Sequence, residues 1–258
     1  MRTSPFADLV ESIPVAGNLF VSKMRARHRR MILSYLWLFV PGLVVMIGFM
    51  AIRSQKVMLV GDTGIPYGVY VLTGMVLWQS VNDAIAMPIA QLGAHRRFLF
   101  RAAVPHEVVL LAGLGEVLFN SAIRLILLFI VALIAGMPFA PSWALVPLAT
   151  LSLTLLGLGV GLCLAPYGLL FDDVGRAITL FSSMLLLVTP IVYTLPPGSP
   201  LALNPLVPAL EVARAWLAGE FPPLPLALLI QVLAALALIG FGWAQYRLAR
   251  PHLAARLG

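Results

Sequence analysis

The sequence predicts an all-α integral membrane protein: six transmembrane helices, an amphipathic interfacial helix ahead of them, and a broken re-entrant segment before the last one. Three observations predict it. Of 258 residues, 61% are apolar and 10% charged, and mean hydropathy is +0.99; soluble domains carry roughly 25% charged residues. Stretches free of Asp, Glu, Lys and Arg run from Met31 to Ile52, Leu125 to Phe171, Ala177 to Leu210 and Phe221 to Tyr246, where about 20 apolar residues suffice to cross the bilayer core. These stretches lack period-two alternation and are too long for barrel strands, so they read as helices.

Residues 1–30 form the first unit and 31–258 the transmembrane domain. Phe6, Leu9, Val10 and Ile13 fall at helical spacing, and Leu19 and Phe20 precede a basic run, Lys23, Arg25, Arg27, Arg29 and Arg30. That is the pattern of a helix lying on a membrane surface. The first 30 residues are too polar for a cleaved signal peptide, so insertion is expected to use the first span. Spans follow at about 31–52, 66–92, 108–136, 143–169, 177–195 and 223–247. Turn chemistry separates them: Gly61-Asp62-Thr63-Gly64-Ile65-Pro66 divides the first two, and Gly136-Met137-Pro138-Phe139-Ala140-Pro141 divides the third from the fourth.

Orientation follows from Lys and Arg. With both termini in the cytoplasm, 13 of the 17 basic residues fall inside, only Arg53, Lys56 and Arg214 fall outside, and Arg124 lies within a span. Basic residues are retained on the cytoplasmic side. The outer segment 195–222 is rich in proline (Pro196, Pro197, Pro200, Pro205, Pro208, Pro222) yet apolar, with Leu201, Leu203, Leu206 and Leu210. Such a stretch is expected to dip back into the outer leaflet as short broken helices backed by protein. Glu211 and Arg214, three apart, are expected to pair on one of them.

Several function classes are excluded or disfavoured. The net charge of +7 sits at the ends of apolar spans, not along one basic face, which argues against nucleic acid. Cys163 is the only cysteine, so there is no disulfide framework and no thiolate metal cage. His28, His95, His106 and His252 lack metal-ligand spacing. Gly157, Gly159 and Gly161 lie in a charge-free span with no lysine following, so they read as close helix packing rather than a phosphate loop. No Walker A lysine loop occurs, and ATP-driven transport would need a separate nucleotide-binding chain.

Two sets of residues carry chemistry. The cytoplasmic segment of about 93–107 mixes His95, Arg96, Arg97 and Arg101 with Phe98, Leu99 and Phe100. It is more apolar than a solvated loop and suits a partner's groove, with arginines pairing to acids. Within the membrane, Glu116, Asn120 and Arg124 lie four apart on one stripe of the third span, and Asn82 and Asp83 lie at a comparable depth in the second. Intramembrane ionisable groups are expensive and rarely idle. They read either as a polar network holding these spans together (Asp83, Glu116, Asn120, Arg124) or as the lining of a translocation path. Asp172 and Asp173 form the one adjacent acidic pair on the cytoplasmic side.

In this light the chain resembles the polysaccharide-exporting ABC transporter permeases, the membrane subunits of O-antigen, teichoic acid and capsule exporters. The resemblance rests on Lys23-x-Arg25-x-Arg27-x-Arg29-Arg30 with Leu33-Ser34-Tyr35-Leu36-Trp37 and Pro41, Gly74-Met75-Val76-Leu77-Trp78-Gln79, and Arg96-Arg97-Phe98-Leu99-Phe100 with Pro105. It continues through Phe171-Asp172-Asp173-Val174, where Asp172 stands in place of the usual Arg, to Thr189-Pro190-Ile191-Val192-Tyr193, Asn204-Pro205 and Arg214. It implies a homodimer in the cytoplasmic (inner) membrane and two copies of a partner ATPase that carries ATP and Mg and docks on His95, Arg96, Arg97, Phe98, Phe100 and Arg101. The implied cargo is a lipid-linked glycan, with no cofactor or metal on this chain; the sequence leaves open whether a periplasmic partner extends the channel. Candidates for the substrate path are Tyr35, Trp37, Trp78, Tyr193, Asn82 and Arg124, with Tyr167. The rival readings are an ABC permease for drugs or lipids, a proton-coupled secondary transporter, and a membrane enzyme on lipid-linked sugars.

Overall fold

The computed structural model describes residues 5–30, 36–55, 61, 63–95, 105–196 and 198–257. Eight α-helices are seen among them: α1 Pro5–Arg30, α2 Val40–Ser54, α3 Tyr67–Ala94, α4 His106–Ile134, α5 Val146–Leu170, α6 Asp172–Val188, α7 Val207–Leu217 and α8 Leu226–Leu257. Short 3₁₀ turns precede α2, α5 and α7, and no strand occurs among the described residues. The chain is therefore all-helical. Three helices, His106–Ile134, Pro141–Leu170 (the turn plus α5) and Leu226–Leu253, are long and apolar enough to cross a membrane, and Val40–Ser54 is a shorter apolar helix. Their outer sides carry Val44, Ile47, Ile126, Ile130, Leu133, Leu233, Leu236 and Phe241, all exposed. A water-soluble surface does not carry large apolar residues on this scale.

Local chemistry sets the helix ends. Pro66 and Pro105, both extended, stand just before α3 and α4, since proline lacks the N–H that a first turn leaves unbonded. Gly136, at φ 83, ends α4: its N–H reaches Leu133 O at 3.0 Å, and Met137 N–H reaches Ala132 O at 3.1 Å. That paired bonding needs a left-handed residue, which glycine adopts without penalty. α6 starts at Asp172, five residues earlier than the sequence suggests, and stops at Val188. Thr189 precedes Pro190 and is held extended at ψ 133, because a proline ring disfavours the helical region for the residue before it. α8 runs ten residues past the expected end at 247, through Pro251 to Leu257. Arg247, Leu248, Ala249 and Arg250 are strong helix formers.

The core is a three-helix slab with α5 between α3 and α8. Glycines permit it on both sides. A methyl group at Gly157 would lie 2.5 Å from Val81 O, and one at Gly161 2.5 Å from Ile85 O, on the α3 side. At Gly159 it would lie 2.7 Å from Leu238 Cβ on the α8 side, and Gly242 of α8 faces the Cys163 N–H in return. The phosphate-loop reading of these glycines is excluded by this geometry. α3 is the most enclosed helix, burying Val71, Leu72, Leu77 and Ala84 almost completely.

α1 packs along α4. Ala16 is buried with Val108 and Ala112, and Leu19, Phe20 and Leu111 border them. Phe20 meets Phe119 edge-on at 6.1 Å. Leu19 and Phe20 thus face protein rather than lipid, whereas Ile13 is 56% exposed; the side chains of Phe6, Leu9 and Val10 lie outside the described set.

Gly157→Leu is expected to lower the unfolding midpoint in detergent by several degrees, about 1–3 kcal/mol or more, by driving a side chain into the α3 backbone. Gly48→Ala, where nothing lies within 4 Å, is the control and should leave the midpoint within about 1 kcal/mol.

Candidate functional site

Between α3 and α4 lies a polar groove of about 340 Å³, lined by Asp83, Gln91, Glu116, Asn120 and Arg124 among apolar neighbours. Helical geometry assembles it: Asp83, Met87 and Gln91 recur every four residues along α3, and Glu116, Asn120 and Arg124 do so along α4. Arg124 Nη2 lies 2.7 Å from Asp83 Oδ2, with the arginine side chain 7% exposed and the aspartate 32%. Gln91 Nε2 donates to Glu116 Oε2 at 3.1 Å, and Lys23 Nζ of α1 donates to Gln91 Oε1. Partial burial holds the Lys23 ammonium below its usual range, with Glu116 acting in the opposite direction. The sequence placed Asp83, Glu116, Asn120 and Arg124 together, but not Gln91 or Lys23. Polar periodicity would have found Gln91, eight residues after Asp83; only the packing of α1 could have found Lys23.

The proposed path residues do not share one wall. Asn82 is one residue from Asp83, hence about 100° round the helix, and lines a different cavity of about 320 Å³ with Trp78 and Ser182, Ser183 and Thr179 of α6. Arg124 therefore lines a different cavity from Trp78 and Asn82, and the two cavities adjoin at Ala86 and Ala90 of α3, which line both. Tyr193 is committed to structure: its hydroxyl lies 3.1 and 3.0 Å from Leu187 O and Val188 O, bonding the last turn of α6. Tyr167 lines a larger apolar groove and accepts from Gln245 Nε2 at 3.1 Å. Trp37 is 66% exposed. Tyr35, Arg96, Arg97, Phe98, Phe100 and Arg101 lie outside the described residues, whereas His95 follows α3 with its Nδ1 2.8 Å from Gln91 O. Asp173 pairs with Arg176 at 3.3 Å at the exposed start of α6, and no cluster of three or more metal-ligating side chains occurs among the described residues.

Two polar centres were not legible. The first is Arg214. It does not form the expected pair with Glu211, which is exposed. Instead it turns inward from α7, where its Nη2 donates to Pro190 O at 2.8 Å, Ile191 O at 3.2 Å and Tyr70 O at 3.4 Å. Its guanidinium carbon lies 3.4 Å from the centre of the Tyr70 ring. Tyr70 and Tyr67 hydroxyls donate to Tyr193 O and Val192 O, both at 2.9 Å. Gly74 leaves the space for Ile191 to approach. The arginine thus solvates carbonyls of an irregular segment that no helix can satisfy. At the opposite end of the bundle, buried Glu107 meets Arg247 at 3.5 Å and Arg250 at 3.4 Å, and the His106 ring bonds the Tyr246 hydroxyl. This clamp ties the start of α4, just past the 93–107 segment, to α8. Its only sequence signal was an acid in the first turn of a helix.

The chain matches no known family model and no curated protein.

Arg214→Met should destabilise the protein by about 3 kcal/mol, because three carbonyls lose a charged donor, and should open residues 189–222 to limited proteolysis; Arg214→Lys should fall between. Asp83→Ala leaves a buried guanidinium uncompensated and should cost about 2 kcal/mol, less than a fully buried pair because Asp83 is partly exposed. In the double variant Asp83→Ala/Arg124→Met most of that loss should return, read as thermal unfolding in detergent.

Proposed function

We propose that this chain is the membrane subunit of an ATP-driven exporter that moves a lipid-linked polysaccharide of O-antigen or capsule type across the cytoplasmic membrane. In this reading α2, α3, α4, α5, α6 and α8 make six crossings, α1 lies at the cytoplasmic interface, and residues 195–222 re-enter the outer leaflet. Two copies pair, and each receives a separate ATPase at the 93–107 segment. Both termini face the cytoplasm, in accord with the distribution of Lys and Arg.

The observation that carries this reading is a pair of adjoining cavities along α6. An apolar groove of about 1050 Å³ runs between α6 and α3, α5 and α8, and the smaller Trp78–Asn82 cavity abuts it; Ile178 and Ser182 line both. A cargo with an apolar tail and a hydroxyl-rich head has a place for each part, the head against an aromatic face and an amide. α6 buries only Ser182 of its 17 residues, so little holds it to the bundle. Inward pressure on the 93–107 segment would act on α3 and α4 together, because the Asp83–Arg124 and Gln91–Glu116 contacts join them, and on α8 through the Glu107 clamp. Shifting that unit against α6 would open or close the adjoining cavities. The same apolar groove also suits a drug or simple lipid, the second reading; a tail alone would fill it and leave Trp78 and Asn82 without a role.

Tagged chain extracted in mild detergent from its native host should retain a stoichiometric nucleotide-binding subunit. Its absence, with the chain folded, would remove the exporter reading. Arg97→Glu should reduce ATPase recovery severalfold without impairing insertion, and Trp78→Ala should impair glycan export while leaving ATPase recovery intact.

A further inference from the structure

The cavity that Trp78 and Asn82 share with α6 holds polar groups that the fold leaves unused. Asn82, half-buried, and Ser182, 8% exposed, make no side-chain hydrogen bond among the described residues. Both are reachable, since the enclosed and unbonded side-chain polar atoms among those residues belong to Gln79, Arg124, Arg214, Gln231 and Gln245. A group as buried as Ser182 ordinarily has a partner. Thr179 and Ser183 complete the polar lining. Their hydroxyls donate to Gly175 O at 3.1 Å and Thr179 O at 3.0 Å. Each proton is thereby spent on the helix itself, and the oxygens still offer lone pairs.

The charge around these groups decides what fits. No charged side chain among the described residues lines the cavity, and the cations near it are committed. In the α3–α4 groove, which shares Ala86 and Ala90, Arg124 is bonded to Asp83 with its other nitrogens enclosed, and Lys23 is bonded to Gln91. On α6, Arg176 pairs with Asp173 at 3.3 Å. An entering anion would shed water, face the lone pairs of Thr179 and Ser183 and the partly exposed Asp83, and gain no free cation in return. A neutral hydroxyl meets no such cost: it donates to those two oxygens and accepts from the Asn82 amide and the Ser182 hydroxyl. We propose that this cavity selects an uncharged sugar against one bearing carboxylate or phosphate, so that the exported glycan is neutral at the residues held there. The inference rests on the exporter reading for its cargo, and on the cavity alone for its selectivity.

The test uses full-length chain purified in an amine-oxide detergent, which has no sugar headgroup, with thermal unfolding read by tryptophan fluorescence at neutral pH. Hexyl glucoside should raise the midpoint saturably. Hexyl glucuronide, the same ring and tail with a carboxylate in place of the hydroxymethyl group, should bind about tenfold more weakly. Methyl glucoside acting at the same concentrations as hexyl glucoside would support the sugar chemistry and show that it needs no tail. Asn82→Leu should weaken hexyl glucoside about tenfold. Thr179→Val, at an exposed position outside both neighbouring grooves, should weaken it severalfold even if Asn82→Leu does not fold. Ser183→Lys should raise glucuronide affinity severalfold by supplying the missing cation. Equal or tighter binding of the glucuronide by the unaltered chain, no saturable effect of hexyl glucoside, or unchanged binding in Thr179→Val would each overturn the proposal. Loss of the ATPase with this selectivity intact would remove the exporter and leave the neutral-sugar site; an ATPase retained with glucuronide preferred would do the reverse.

Discussion

The close approach of α5 to α3 and α8 is the constraint on which the remaining structure depends. Among apolar helices in an apolar solvent, hydrophobic burial supplies little discrimination, because lipid tails are as apolar as leucine. What favours one packing over another is dispersion at short range and the few polar contacts that short range permits. Gly157 and Gly161 bring the α5 backbone against carbonyls of α3, and Gly159 and Gly242 do the same for α8. Fixing those three axes fixes the rotation of α3. That rotation decides which side each of its polar residues faces.

From it follow two different environments on one helix. Asp83 and Gln91 turn toward α4 and find Arg124 and Glu116, while Trp78 and Asn82 turn toward α6. The first side carries polar bonds that join α3 to α4. The second side is sparsely filled, because α6 touches the bundle lightly. Stiff contacts on one face and loose ones on the next are what a helix needs if movement at its end is to change the shape of a cavity along it.

The two ends of the bundle are held by polar groups of opposite logic. At one end a buried cation, Arg214, satisfies carbonyls of an irregular segment, and Ser142 and Trp143 fasten α7 by donating to Trp216 O and Leu217 O at 2.6 and 2.9 Å. At the other a buried anion, Glu107, gathers Arg247 and Arg250. Both arrangements place a single charge where many backbone dipoles or two opposite charges can meet it. A buried charge is tolerated only with such company.

The helices themselves were legible in the sequence, because their signals are local. Apolar run length, the prolines ahead of α3 and α4, and Gly136 after α4 act within a few residues, and hydropathy reports the solvent in which the segments sit. The polar stripe of Glu116, Asn120 and Arg124 was legible for the same reason: a period of about four residues places side chains on one face. Asp83 was read as its partner, but the parting of Asp83 from the adjacent Asn82 was not legible, since only the rotation of α3 sends the two into different cavities. Nor was the inward turn of Arg214, which the Glu211 spacing misassigned; its true acceptors are carbonyls 24, 23 and 144 residues away. Sequence by itself determined the all-helical, lipid-compatible character of the chain and most helix ends, because those depend on propensity and composition. Tertiary structure alone decided which polar groups meet, because that depends on helix rotation, set by side-chain volume at distant contacts.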